Sequence, residues 1–528
     1  MTLIRNFWPW AAAALSGVML VLCFAPHDQA WLVWIALAPL FAALWFGPVH
    51  PKHPLLRKAE LGYLTGLIYF LGSLYWLKEV TVLGWFMLCL YLALYPAVWA
   101  GIVWVVATPR ENSHSFRSAW LSSWRNISVA VLASAAWVAT ELLRDTVFTG
   151  FGWNALGIAL HENIPLIQLS SLTGVAGLSF LTVMTSAIAV ATVKRLSLEA
   201  RGGRIRAHVD FTLTLALVVA AFGYGLRQLG PAGETIPLKV AAVQPSIPQD
   251  EKWNPAFEQR IYDTFERLTA TATAMEPDLL LWPEAATPRG FFEDPVANAF
   301  VKKHAGSGKH ALMFGSLILS HEADYNAAIL MVGAEPEPQV YPKNHLVMFG
   351  EYVPLRESFP LFAIIVGDQV PADFDAGEGP VIFHLTEPHV AISPLICFED
   401  TIGYLARAGA LEGAQMFVTL TNTGWFRQTA AGRQHLAHAV FRCAETRRPM
   451  ARCANNGVTS VVDHLGRVRQ TLEGPGGDIF GEGVMLAEME IPVAPPTTLY
   501  MRIGELFSYL CLGLTMAALG IAAVRRKS

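Results

Sequence analysis

The sequence predicts two kinds of structure in one chain: a polytopic α-helical membrane domain of about eight transmembrane helices, and an α/β domain outside it. Three observations predict this. Hydrophobic residues make up 53% of 528 residues, charged residues only 15%, and mean hydropathy is +0.39, too apolar for an ordinary soluble chain. Seven apolar stretches of roughly bilayer-spanning length precede residue 230 and an eighth lies near the C-terminus, each near the ~20 residues a membrane helix needs. Between them, about 231 to 502, short apolar runs alternate with helical stretches.

The apolar stretches fall near 9–26, 30–47, 62–77, 83–107, 127–147, 165–193, 211–229 and 504–524. The first resembles a signal peptide, but further spans follow at once, so it reads as retained. The segment near 165–193 is long enough to tilt or to begin outside the membrane. Basic residues cluster in alternate connections: Lys52, Arg57 and Lys58; Arg110, Arg117 and Arg125; Lys194, Arg195, Arg201, Arg204 and Arg206; and Arg525, Arg526 and Lys527. The positive-inside rule then puts both termini in the cytoplasm and the segment 231–502 outside. The predicted domains are 1–230 (seven helices), 231–502, and 503–528 (a last helix and tail).

In 231–502 the strand-like runs are "LKVAAVQ", "DLLLWPE", "ALMFGSLIL", "YNAAILMVG", "VIFHLT", "HVAISPLICFE", "MFVTLTNT", "VTSVVD" and "GVMLAEMEI". Several lack polar alternation, as expected of strands covered on both faces. Helical stretches are predicted at 255–275, 401–413 and 431–446.

A formal charge of −4 gives no reason to expect a nucleic-acid partner. The six cysteines form no CxxC pair or dense framework, although Cys443 and Cys453 leave one pairing open. His435 and His438, three apart, lack a third ligand at suitable spacing, and neither HExxH nor CxxC occurs; no metal or cofactor is predicted. "GPGGDIFGEG" lacks the Gly-Lys-Ser/Thr ending of a phosphate loop and reads as a hairpin or turn.

Three strand-like runs end in a reactive side chain. "LLLWPEAATP" carries Glu284 just past a proline, where partly apolar surroundings would make it a useful base; alone it reads equally well as a solvated loop glutamate. "YPKNHLVMFGEYVP" carries Lys343, able to stabilise an oxyanion or a thiolate, with Glu351 placed to orient it. "ISPLICFED" carries Cys397, a nucleophile only if a base or a positive neighbour favours the thiolate, and otherwise an inert packed thiol.

Glu284, Lys343 and Cys397 together resemble the catalytic trio of the nitrilase, or carbon–nitrogen hydrolase, superfamily. With several spans before this domain and one after it, the whole chain is similar to the bacterial apolipoprotein N-acyltransferase family. "VAAVQPSIPQDEKW", "WPEAATP", "FGEYVP", "ICFED", "TNTGWF" and "ANNGVTSVVD" match in order. The resemblance implies a four-layer α-β-β-α sandwich, with Glu284 as general base, Lys343 at the oxyanion and Cys397 as nucleophile. Glu351, Glu399 and Phe398 take supporting roles, and Trp253, Tyr352, Asn422, Trp425 and Phe426 are candidates for lipid or substrate contact. The chain departs from the family pattern in two places: Phe398 stands where tyrosine is common, and Thr421, Asn422 and Thr423 stand where a Ser-Asn-Asp-type run is common.

The expected reaction is ping-pong acyl transfer at the periplasmic face of the bacterial inner membrane. A membrane phospholipid acylates Cys397, and the α-amino group of a lipoprotein's diacylglyceryl-cysteine takes the chain; the protein is expected to act as a monomer. Rival readings are a membrane-tethered amidase for small polar substrates and a transporter or lipid-binding module. Against the latter, ionisable residues are scarce in the spans, Glu141 and Arg144 being the chief exceptions. "SFPLFAIIVGDQV" (358–370) reads as either a packed helix or a lid that dips into the membrane, with Phe291 and Phe292 expected at the same mouth.

Overall fold

The computed structural model describes residues 2–108, 118–202, 207–321, 323–333, 337–354 and 373–527; the 358–370 segment lies outside them. The chain divides into two compact units, one of Met1–Lys78, Trp85–Leu229 and Ile503–Ser528, the other of Glu79–Gly84 and Gly230–Arg502.

The first unit is helical. Among the described residues, five helical stretches are long and apolar enough to cross a membrane: Val82–Val106, Ser122–Thr146, Val175–Ala200, Val209–Gln228 and Leu506–Arg525. Other stretches that read as spans are more broken. Residues 30–47 resolve into a 3₁₀ turn, Ala30–Trp34, and a nine-residue helix, Ala38–Phe46, about 14 Å long at 1.5 Å per residue. The 165–193 stretch holds two four-residue helices, Ile164–Ile167 and Ser170–Thr173, before the long helix Val175–Gly202. Pro165 can only begin a helix, and Gly174 at φ +64° interrupts one. Lys58, read as a loop charge, belongs to the helix Pro54–Ser73. Its ammonium is buried, donating to the Ala43 and Gly47 carbonyls at 3.0 and 3.4 Å.

The second unit is a pair of six-stranded sheets. The strands are β1 (Thr235–Gln244), β2 (Leu279–Leu281), β3 (Ala311–Leu319), β4 (Asp324–Val332), β5 (Gln339–Pro342), β6 (Phe383–Thr386), β7 (His389–Ile396), β8 (Met416–Thr421), β9 (Met450–Ala454), β10 (Ser460–Val462), β11 (Val468–Thr471) and β12 (Gly483–Pro492). One sheet runs β12-β1-β2-β3-β4-β5, the other β11-β10-β9-β8-β7-β6. The central pairs β1–β2, β2–β3, β7–β8 and β8–β9 are parallel.

The unbroken apolar runs follow from burial of both strand faces. Leu238, Val240 and Ala242 of β1, Leu279 and Leu281 of β2, and Met416, Val418 and Leu420 of β8 share one core with residues of every other strand but the edge strand β11. The opposite phase, Ala241, Val243, Leu280, Leu312 and Phe314, packs on Ile261, Phe265, Leu268 and Ala272 of the helix Glu258–Thr273 and Val301 and Ala305 of Pro295–Ala305. Helices Gly403–Leu411 and Ala431–Thr446 accompany the other sheet. A Cβ at Gly409 would lie 2.2 Å from Ser393 Oγ of β7, so only glycine lets that helix approach so closely. The result is the α-β-β-α order that the resemblance implies. The segment "GPGGDIFGEG" crosses from β11 in one sheet to β12 in the other, so it is a turn, with Gly477 N–H on the Gly474 carbonyl at 3.1 Å, and not a hairpin. Cys443 and Cys453 are buried and free.

Candidate active site

Each of the three reactive residues follows the C-terminal end of a strand: Glu284 after β2, Lys343 after β5 and Cys397 after β7. Two stand on one sheet and the third on the other.

Glu284 is fixed by its backbone. Past β2 the chain keeps pairing with β3, through Trp282 N–H to the Met313 carbonyl (2.9 Å) and Ala286 N–H to the Gly315 carbonyl (2.8 Å). Gly315 makes this possible, since a Cβ there would sit 2.6 Å from both Glu284 Cα and Ala285 N. The Glu284 carbonyl accepts a hydrogen bond from buried Lys252 Nζ at 2.9 Å, and its carboxylate accepts one from Asn326 Nδ2 at 2.8 Å.

Lys343 is almost fully buried and chelated by Glu351, with Nζ 2.8 and 2.7 Å from Oε1 and Oε2; Glu284 Oε1 is 4.0 Å away. Asn326 Nδ2 also donates to Glu351 Oε1 at 2.9 Å, bridging the two carboxylates. Burial acts to lower the Lys343 pKa, yet Glu351 and then Glu284 outweigh it and hold the ammonium above its ordinary value. The lysine is a fixed positive charge.

Cys397 is partly buried and opens a 3₁₀ turn, Cys397–Thr401, with φ of +53°. A left-handed non-glycine residue of this kind stores about 1–3 kcal/mol of strain. Burial pushes the thiol up to about 12, Glu284 adding to the shift and Lys343 opposing it, so at neutral pH the sulfur keeps its proton unless a base removes it. His435 Nε2 lies 3.1 Å from the Cys397 carbonyl oxygen and 2.6 Å from Asp400 Oδ1, while Arg452 Nε donates to Asp400 Oδ2 at 3.0 Å. Burial would raise the Asp400 pKa, but Arg452 and His435 overcome it and hold the carboxyl below its usual value.

Glu399 is fully buried and ties the two sheets together. Oε1 accepts from the Asn344 and His345 N–H groups at 2.7 and 3.0 Å, Oε2 accepts from Ile396 N–H at 2.8 Å, and the Tyr341 hydroxyl lies within 3.1 Å of both. The backbone just after Lys343 is thereby fastened to the backbone just before Cys397. Burial pushes this carboxyl up to about 7, against Lys343 and the backbone donors.

The remaining candidates divide. The Phe398 ring stacks on His345, 5.9 Å between centroids. Tyr352 is half-buried, and its carbonyl accepts the Phe349 N–H. Trp253 and Trp425 are exposed, and neither has a hydrogen bond or ion pair to the trio among the described residues; Phe426 is half-buried beside Trp425. Asn422 is buried with its amide engaged internally, donating to Gln249 Oε1 and accepting from Gly424 N–H and Asn455 Nδ2, which fixes the turn after β8. Phe292 is exposed, but Phe291 packs in the core against Phe314 and lines no mouth. Sequence reasoning missed Asn326, Lys252, Asp400, His435 and Arg452 as parts of this site. Lys252, inside the quoted "EKW", and Asp400, inside "ICFED", carried a local signal, and His435 was weighed only as a metal ligand.

A family model for the apolipoprotein N-acyltransferase N-terminal domain matches residues 16–188, and one for carbon–nitrogen hydrolases matches 239–491. Among solved structures, a variant of the Nesterenkonia AN1 amidase from the nitrilase superfamily is 18% identical and covers 52% of this chain and 96% of its own, with a TM-score of 0.39. The match over residues 239–491 puts the second unit in the carbon–nitrogen hydrolase class. The apolipoprotein N-acyltransferase of Geobacter metallireducens is 33% identical over 98% of this chain and 95% of its own; that of Nitrosomonas europaea is 30% identical over 99% and 100%. The chain belongs to the apolipoprotein N-acyltransferase family, a family of acyltransferases.

Proposed function

We propose that this protein N-acylates lipoproteins in the bacterial inner membrane by a two-step reaction through Cys397. The observation that carries the reading is the junction of three strand ends: a lysine locked in its charged form, a carboxylate 4.0 Å from it, and a strained, protonated cysteine at the end of β7. Glu284 removes the thiol proton and Cys397 attacks an ester carbonyl of a membrane phospholipid. Lys343 and the N–H of Phe398 steady the tetrahedral oxyanion. The ester C–O bond breaks, Glu284 returns the proton to the departing lysophospholipid oxygen, and a thioester remains. The α-amino group of a lipoprotein's N-terminal diacylglyceryl-cysteine then attacks, Glu284 takes its proton, and the thiolate leaves.

In this reading Glu351 orients Lys343, and Glu399 with Asp400, His435 and Arg452 positions the Cys397 turn. Trp253, Tyr352, Trp425 and Phe426 contact the lipid chains. Eight spans, in domains 1–230 and 503–528, hold residues 231–502 on the periplasmic side with both termini cytoplasmic, and the protein acts as a monomer.

Intact-mass measurement after incubation with phospholipid alone tests this. The parent gains one acyl chain, which hydroxylamine or a diacylglyceryl peptide with a free amine discharges, while Cys397→Ala gains none and keeps its thermal stability. Acyl gain by Cys397→Ala would overturn the mechanism.

A further inference from the structure

His345 stands two residues beyond Lys343, half-buried, and takes no part in the two steps proposed for the trio. Three contacts fix it. Its backbone N–H donates to Glu399 Oε1 at 3.0 Å, its ring stacks on Phe398 with 5.9 Å between centroids, and its Nδ1 lies 3.1 Å from the Tyr404 hydroxyl. No described residue engages Nε2. Phe398 directly follows Cys397, so the imidazole is set against the turn that carries the thiol.

The charged and titratable groups around it decide its protonation. Lys343 and Glu351 act from its own segment, Glu399 from the Cys397 turn and Tyr404 from the helix Gly403–Leu411. Burial first, and then the Lys343 ammonium, hold the His345 pKa below its ordinary value, with Glu351 opposing. The ring is therefore neutral near neutral pH. In the tautomer whose Nδ1–H donates to Tyr404, Nε2 carries the lone pair. Tyr404 is 53% exposed, which gives the far side of the ring a route to water.

The second half of the reaction has a proton that Glu284 alone does not remove. An α-amino group has an ordinary pKa of about 7.7–8.0, so near neutral pH the acceptor arrives mainly as an ammonium, with no lone pair to attack. One proton must leave before attack on the thioester and another as the C–N bond forms. Glu284 has a single carboxylate and takes only one of them.

We propose that His345 is a second base of this site, whose Nε2 takes the first proton from the acceptor's ammonium. The imidazolium so formed yields a proton to water past Tyr404, and the ring is neutral again. The free amine attacks, the C–N bond forms as Glu284 takes the second proton, and the C–S bond breaks. The departing thiolate then recovers that proton from Glu284. The proposal rests on the two-step reading of Cys397 and concerns only its second step.

The test separates the two steps. Full-length protein in detergent is acylated with phospholipid, freed of excess lipid and given a diacylglyceryl peptide with a free amine, and loss of the acyl chain is followed by intact mass across a range of pH. Near neutral pH His345→Asn, which keeps a hydrogen-bonding partner for Tyr404, should discharge about 100-fold more slowly than the parent, the lower end of what a positioned base contributes. His345→Gln should behave alike, and it carries the comparison where a melting curve shows that His345→Asn folds poorly. The gap should close as pH rises past about 8, where the peptide amine loses its proton unaided. Hydroxylamine is a neutral nucleophile near neutral pH, needs no such base, and should discharge parent and variants at rates within about threefold of each other. A gap that persists unchanged at high pH, or an equal slowing with hydroxylamine, would make His345 a support of the Cys397 turn and overturn the proposal. Discharge of both variants to peptide within about threefold of the parent near neutral pH would overturn it as well. Absence of any thioester in the parent would overturn the two-step reading, and this proposal with it.

Discussion

Gly315→Ala places one methyl group against the strand end that carries Glu284. The added carbon would lie 2.6 Å from Glu284 Cα and Ala285 N and 2.8 Å from the Pro283 carbonyl oxygen, where ordinary contact begins at 3.4 Å. All three are backbone atoms, so no side chain can swing away and the Pro283–Ala285 segment must retreat by roughly 0.8 Å or more, the shortfall from ordinary contact. A shift of that size along the bond direction stretches the 2.8 Å Glu284–Asn326 hydrogen bond beyond useful length. Overpacking of this kind destabilises by about 1–3 kcal/mol. A displacement near 1 Å in a reacting group slows chemistry about 100-fold. The assay is single-turnover thioester formation followed by intact mass, beside a melting curve. Gly230→Ala, whose Cβ would meet nothing within 4 Å, is the control and should acylate at the parent rate. Acylation of Gly315→Ala within about threefold of parent, with a normal melt, would refute the idea that β3 sets the position of the base.

Lys252→Met removes a charge-assisted hydrogen bond to the Glu284 carbonyl and should slow thioester formation about tenfold at pH 7. Burial lowers the Lys252 pKa to about 8 against the pull of Glu284, so the parent loses the same charge above that pH and the two rate profiles should converge there; parallel profiles would count against the role. Glu399, pushed up to about 7, holds a proton in the fold at pH values where the unfolded chain releases it. Its contribution therefore favours the fold below about pH 4.5 and is lost as pH rises toward 7. The apparent Tm of the parent should fall over that window more than that of Glu399→Gln; equal slopes would show the carboxyl ionised throughout. Topology is checked with a reporter active only outside the cytoplasm: fusion near Gly233 should give signal and fusion near Gly203 none, equal signals refuting the outward placement of 231–502.

The strands that sequence reading found have at least one unbroken apolar face. "ALMFGSLIL" coincides with β3, where burial on each side leaves an unbroken hydrophobic run, and "GVMLAEMEI" falls within β12, where buried Met485, Ala487 and Met489 alternate with exposed Glu488 and Glu490. The strands it missed, β5, β9 and β11, are short or hold charged residues. β9 is central to its sheet, but Arg452 within it makes the run "MARCA" look like surface, and only the fold reveals that Asp400 neutralises that guanidinium. Glu284, Lys343 and Cys397 stand out in the sequence because each ends an apolar run beside a proline or an acidic pair. Asn326 was not, since "YNAAILMVG" reads as a strand with one polar position and nothing local shows that its amide spans two carboxylates brought together from other segments. Broken helices such as Ala30–Trp34 with Ala38–Phe46 escaped for a related reason: hydropathy records composition, while Pro39 and local geometry decide where a helix can run.

The division of the reactive trio between two sheets has a mechanical consequence. The sheets meet through aliphatic and aromatic side chains, and such contacts resist separation far better than they resist sliding, because dispersion has no preferred direction. Sliding of one leaf over the other would carry Cys397 away from Glu284 and Lys343 while losing little core contact. Glu399 works as a dowel through both leaves. Rooted beside Cys397, it grips the Asn344 and His345 amides and the Tyr341 hydroxyl on the opposite leaf, and such directional bonds fail steeply under shear. Other polar links join the leaves, Gln339 with His384 and Thr459 with Gln244, but this pin is set beside Cys397, so the greasy layer can change its packing while the alignment at that edge is kept.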